Sequence, residues 1–216
     1  MAALPYLRWC GMGNLLGGVL AALFLLIHPD SETSMLLSPA AMTFWIADHA
    51  IGVIGMLLGL IGLIGLYARQ ANQAGTLGLA GFLILFLGMG LSLGVVFGEA
   101  FFLPAVAVAE PRLLGEANPL SVMPAALMYV VPAMLFALGC VLFGIATMRA
   151  GVLPRWAGTL LIGGLLFYFP SGPDFPIPAF VITASIGLYG LAQAWLGIAL
   201  WNNRDQVDHR LAVAAS

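Results

Sequence analysis

Apolar residues in this chain run in long blocks instead of alternating with polar ones, the pattern of helices buried on every side. Six blocks predict membrane spans: residues 9–28, 44–67, 77–103, 122–147, 155–170 and 178–201. A spanning helix needs roughly 20 apolar residues. Polar or helix-breaking segments divide the blocks. Asp30 to Ser34 with Pro39 separates the first pair, and Ala68 to Gln73 the second. Pro111 to Ser121 precedes the fourth block and Met148 to Pro154 the fifth. The expected architecture is all-α, a single transmembrane helix bundle over residues 1–216. The first block runs on into His28-Pro29-Asp30 without a small-x-small cleavage site, so it is expected to be a retained helix.

Two spans depart from the norm. Pro104 marks the place where the third should stop or bend. Residues 155–170 would cover only about 24 Å at 1.5 Å per residue, short of a hydrocarbon core of ~30 Å. The proline-rich stretch from Pro170 to Pro178 follows, which would roof an outward-facing depression; a less tilted helix or a locally thinned bilayer explains the same shortness. Pro124 and Pro132 are expected to bend the fourth helix.

Charge sets the orientation. The chain has seven arginines and no lysine. Arg8, Arg69, Arg149, Arg155, Arg204 and Arg210 fall on one side of the alternating series, and Arg112 alone on the other. By the positive-inside rule both termini are cytoplasmic. Asp30, Glu32, Glu110, Glu116 and Asp174 then lie in outer loops, with Asp48 and Glu99 inside apolar blocks near that face. At 62% hydrophobic and 7% charged, the composition excludes an ordinary soluble domain. A net charge of −2 without a basic patch argues against nucleic-acid binding. Cys10 and Cys140 fall in the inner half, so no structural disulfide is expected. Arginine without lysine amid abundant Gly and Ala fits a GC-rich bacterial genome, and with it a bacterial cytoplasmic membrane.

Candidate chemistry gathers at the outer level. An ionisable group inside a membrane is costly and is a functional hypothesis by default. His28 ends the first span, Asp48 and His49 open the second, and Glu99 lies near the end of the third. On a helical wheel Asp48 lies within the arc of about 80° spanned by Gly52, Gly55, Gly59 and Gly62. Glu99 aligns with Gly81, Gly88 and Ser92, and His28 with Asn14, Gly17, Gly18, Ala21 and Leu25. Each of the three helices thus points one titratable residue along a small-residue face, the face that meets other helices, while His49 lies about 100° around from Asp48.

Two readings follow. Asp48 and Glu99 are wet interfacial acids, with Asp48 within ~6 Å of its helix start and complementing the dipole. Alternatively His28, Asp48, His49 and Glu99 form a ligand- or proton-binding site. Such a site could hold a divalent metal, could share a proton between carboxylates, or could ligate haem or a pigment through His28 or His49. Asn14, Tyr129, Tyr189 and Gln193 either line a cavity or, more simply, bond helices together. Trp9, Trp45, Trp156, Trp195 and Trp201 read as interface anchors. No nucleophile elbow, P-loop, dinucleotide fingerprint or H-E-x-x-H occurs.

Gly151-Val152-Leu153-Pro154-Arg155-Trp156-Ala157-Gly158 and Gly62-Leu63-Ile64-Gly65-Leu66-Tyr67-Ala68-Arg69-Gln70 resemble segments of uncharacterised six-helix integral membrane proteins of Chloroflexi and Actinobacteria. That resemblance implies the fold and no activity. The expected function is a non-enzymatic ligand, ion or proton binding or transport protein with an outward-facing polar pocket. The alternative is an accessory subunit of a larger membrane complex, holding haem or a pigment; the third is a membrane enzyme acting on lipid. The expected partners are the lipid bilayer and other membrane subunits.

Overall fold

The computed structural model describes residues 6–29, 35–114, 124–125, 127–165 and 177–214, with side chains as far as Asn202. Helix α1 is Tyr6–Ile27, α2 is Pro39–Ala109, α3 is Leu127–Ala150, α4 is Arg155–Gly163 and α5 is Ala179–Ala214. A 3₁₀ turn, Pro111–Leu114, follows α2, and no strand occurs among the described residues. Four helices, Tyr6–Ile27, Pro39–Ala109, Leu127–Ala150 and Ala179–Asn202, are long and apolar enough to cross a membrane.

The 71 residues of α2 would reach about 107 Å if straight. They double back instead at Gly75, where φ is 59° and ψ −154°. The two arms, 39–74 and 76–109, are antiparallel. Tyr67 stacks on Phe82 at 4.5 Å, a Cβ on Gly59 would meet Met89, and Trp45 bonds to Glu99. The second and third predicted spans are therefore one helical hairpin. The polar segment Ala68 to Gln73, expected to be the breaker, is itself helical. Its Arg, Ala and Gln residues are good helix formers. Only the glycine can take the positive φ that reverses the chain.

Three further expectations are corrected. Pro104 neither stops nor ends the helix, which continues to Ala109. Pro104 is buried, and its neighbours Leu103 and Ala107 pack with Leu36, Trp45 and Leu114, which holds the last turns in place. Pro124 precedes α3 and cannot bend it: its carbonyl accepts from Leu127 N at 3.0 Å as the helix opens. Pro132 does lie inside α3. The fifth element is shorter still than expected, nine residues from Arg155 to Gly163, and residues 166–176 fall outside the described set, the expected roof with them.

Small residues set the packing. Helix α1 lies between the first arm of α2 and α5. A Cβ on Gly17 would come within 2.6 Å of Gly59 N, and one on Gly62 within 2.5 Å of Asn14 Cβ. On the other side, a Cβ on Gly11 would lie 2.7 Å from the Gly197 carbonyl oxygen. The second arm packs on α3 in the same way, through Gly81 against Phe143 and Gly88 against Phe136. Leu23, Ile54, Ile61, Leu83, Leu87 and Leu91 stay exposed, an apolar outer surface suited to lipid.

The two ends of the bundle differ. At one, the Arg8 guanidinium lies 4.3 Å over the Trp201 ring, and Arg69, Gly151 and Asn202 border a common cleft. At the other are His28, Asp48, Glu99, Glu110 and Arg112. Cys10 and Cys140 are buried free thiols.

Candidate functional site

All four titratable residues singled out from the sequence meet at one place. His28 comes from the residue just past α1, Asp48 and His49 from the first arm of α2, and Glu99 from the second arm. The helix starts at Pro39, not near residue 44, so Asp48 is its tenth residue, about 14 Å in. The full burial of its side chain speaks against a wet acid at this position. Asp48 and His49 side chains are 0% exposed, Glu99 17% and His28 34%.

The four groups form a string. His28 donates Nδ1–H to Asp48 Oδ2 at 2.9 Å. Asp48 Oδ2 lies 3.6 Å from His49 Nδ1. His49 Nδ1 is also 2.9 Å from the Trp45 carbonyl oxygen, one turn back. A carbonyl can only accept, so Nδ1 carries the proton, and in the neutral ring Nε2 is left as a lone-pair acceptor. That Nε2 faces Glu99 Oε2 at 3.6 Å. The separation is too long for a hydrogen bond. His49 Nε2 and Asp48 Oδ1 are both buried without a hydrogen-bond partner.

Aromatic rings wall the cluster. Trp45 stacks on His49 with centroids 4.1 Å apart and planes 28° apart. Its Nε1–H donates to the Glu99 carbonyl oxygen at 2.8 Å, tying the two arms together. Phe24 sits edge-on to both His28 and His49, with centroids 5.0 and 5.4 Å away. Trp45 is thus no interface anchor: it is 2% exposed. Trp9 and Trp156, by contrast, are exposed as anchors should be. Trp45 and Phe24 are the contributors missed in the sequence. Trp45 stands three and four residues before Asp48 and His49, the helical neighbour spacing that was the available signal.

His28 and Glu99 open onto a cleft of about 340 Å³ whose other walls include Leu25, Met56, Val96 and Tyr129. Phe24, Leu25, Met56 and Ser92 also border a second, narrow chamber of about 40 Å³, room for roughly three waters. Tyr189 and Gln193 line that chamber. Gln193 donates to the Tyr189 hydroxyl at 3.1 Å, and Asn14 donates to the Gln193 carbonyl oxygen at 2.6 Å. Asn14 and Gln193 thus bond α1 to α5, Tyr189 and Gln193 bond within α5, and Tyr129 borders the outer cleft.

Charge in the cluster is unbalanced. Arg112 is spent on the exposed Glu110, through Nε to Oε1 at 2.7 Å and Nη2 to Oε2 at 2.9 Å. That pairing holds the Glu110 carboxyl below its ordinary range. Among the described ion pairs, Asp48 and Glu99 have only histidines as partners. The imidazoles of His28 and His49 are in ring contact, with centroids 5.0 Å apart, which leaves no slot for a macrocycle between them. Bis-histidine haem ligation is therefore ruled out in this arrangement. No family model, curated protein or solved structure matches the chain.

Proposed function

We propose that the chain is a six-span protein of the bacterial cytoplasmic membrane, both termini inside, that binds a cation from an outward-facing cleft in a transport-type cycle. The cation is a proton or a metal ion. One observation carries this: two carboxylates, Asp48 and Glu99, sit against two histidines, with no arginine in their ion pairs among the described residues. With neutral imidazoles that cluster carries two negative charges, one of them fully buried, and buried charge must be neutralised. Protons or a bound cation supply the missing charge. In this reading the two arms of α2 are two crossings, and α4 begins the fifth. Arg8, Arg69 and Arg155 at the opposite end support a cytoplasmic side there.

The test is electrical. Protein reconstituted in vesicles on a solid-supported membrane is given a proton jump, then jumps of individual metal ions. A charge-displacement current is expected in the native chain and its loss in Glu99→Gln and Asp48→Asn. Equal currents in all three proteins, for every cation tried, would sink the proposal.

A further inference from the structure

We infer that the cluster is a transition-metal site in which His28 Nε2, His49 Nε2 and the Glu99 carboxylate bind one divalent ion, Zn²⁺ by chemistry. This rests on the cation-binding reading above and names the cation. Both histidines have Nδ1 engaged, His28 on Asp48 and His49 on the Trp45 carbonyl. In metal sites a ligating histidine gives its other N–H to a carboxylate or a backbone carbonyl, and both kinds of partner are present here. That assigns Nε2 of each ring to the ion.

Distances agree. Atoms bound at ~2.0–2.1 Å to a tetrahedral ion lie about 3.4 Å apart, and the centroids of two bound imidazoles about 5 Å apart. His49 Nε2 and Glu99 Oε2 are 3.6 Å apart, and the His28 and His49 centroids 5.0 Å. A lone pair on His49 facing a carboxylate oxygen at that separation is repulsive with nothing between them. A divalent ion there removes the repulsion and gives the buried, partnerless Nε2 a bond. It also brings the net charge of ion, Asp48 and Glu99 to zero.

The residue set decides the metal class. Two imidazoles and a carboxylate suit zinc and its first-row neighbours over calcium or magnesium, which prefer oxygen ligands. Asp48 orients His28 and is a positioning residue. Three protein ligands leave one coordination place, and both His28 and Glu99 border the 340 Å³ cleft. The open place therefore faces the cleft, where water or a small donor can reach it.

The full chain, purified in detergent and stripped with a chelator, is titrated with Zn²⁺ by calorimetry and with Co²⁺ by visible absorption. One ion per chain and an intense four-coordinate Co²⁺ spectrum are expected. His49→Gln, His28→Ala and Glu99→Gln should each weaken Zn²⁺ by at least about 100-fold, and Asp48→Asn by about 10- to 100-fold. The native chain's Co²⁺ spectrum decides even if a variant fails to fold. No Zn²⁺ or Co²⁺ binding by the folded native chain, or binding unchanged in folded Glu99→Gln and His49→Gln, would overturn the site. If metal is absent but proton-jump currents still depend on Glu99, only the metal assignment falls. If both are absent, the cation-binding reading falls too.

Discussion

Asp48 holds the His28 ring at 2.9 Å, joining the residue just past α1 to the first arm of α2 at the acidic end of the bundle. The carboxylate is fully buried and the imidazole is one-third exposed. Removing one partner of such a pair leaves the other unpaired, which costs more than the pair's net worth. The two residues should therefore be strongly non-additive. In a cycle of His28→Ala, Asp48→Asn and the double variant, a coupling of about 1–3 kcal/mol is expected from unfolding midpoints in mild detergent. Simple addition of the two single effects would mean the contact contributes nothing.

Glycines divide into two groups that should behave oppositely. At Gly17 and Gly62 an added methyl would meet backbone or Cβ atoms of the neighbouring helix within 2.7 Å. At Gly90, Gly94 and Gly98 it would meet nothing within 4 Å. Alanine at the first two forces helices apart and should cost about 1–3 kcal/mol. At the other three it should be neutral or stabilising by up to about 1 kcal/mol, because alanine is the better helix former. Thermal denaturation of the five variants separates the groups, and a uniform response would contradict the packing.

Those close contacts are legible from sequence because a wheel ranks faces: Gly52, Gly55 and Gly62 of the small-residue stripe face α1, while Gly59 turns toward Met89 on the second arm. The same wheels placed His28, Asp48 and Glu99 on helix-facing stripes, and these do meet. Wheels carry no information on relative height between helices, so the pairing of His49 Nε2 with Glu99 at 3.6 Å could not be read. Trp45 was misread for a different reason. A tryptophan near a span end has the same sequence signature whether it faces headgroups or covers a site; only the true helix start at Pro39, one and a half turns earlier, separates the two. The reversal at Gly75 falls inside the gap between the second and third blocks, two residues past the polar run, because backbone conformation and not polarity sets it.

Gly75 gives a clean conformational test. Its φ of 59° with ψ of −154° is accessible essentially to glycine alone, and no atom lies within 4 Å of where a Cβ would stand. Gly75→Ala should therefore cost about 1–3 kcal/mol by strain, without a steric clash. Unfolding of Gly75→Ala in detergent checks it, with Gly90→Ala as the helical control. Equal stability of the two would show that the turn has another conformation.

Gln70 and Thr147 supply a polar tie at the arginine end. Gln70 Nε2 donates to Thr147 Oγ1 at 3.0 Å, and neither residue is exposed. Gln70 Oε1 is already without a hydrogen-bond partner. Thr147→Val keeps the shape and strands the amide, so a loss of about 1–2 kcal/mol is expected. Gln70→Leu with Thr147→Val removes both polar groups and should recover part of it. If the double variant is less stable than either single one, packing and not the bond is what matters there.

Trp45 separates stacking from tethering. Its ring covers His49 at 4.1 Å, while Nε1–H reaches the Glu99 carbonyl on the other arm at 2.8 Å. The His49 bond to the Trp45 carbonyl belongs to the backbone and survives any side-chain change. Trp45→Phe retains an aromatic cover and loses the donor, so it should cost about 1 kcal/mol from the bond, plus whatever volume is unfilled. Trp45→Ala also opens a cavity beside His49 and should cost about 3–5 kcal/mol. The two also differ at the cluster. Losing the tether frees the Glu99 backbone, so both variants should weaken Zn²⁺ binding. Losing the cover admits water to His49, so only Trp45→Ala should speed hydrogen exchange around it. Native Zn²⁺ affinity in Trp45→Phe would show that the tether does not position Glu99.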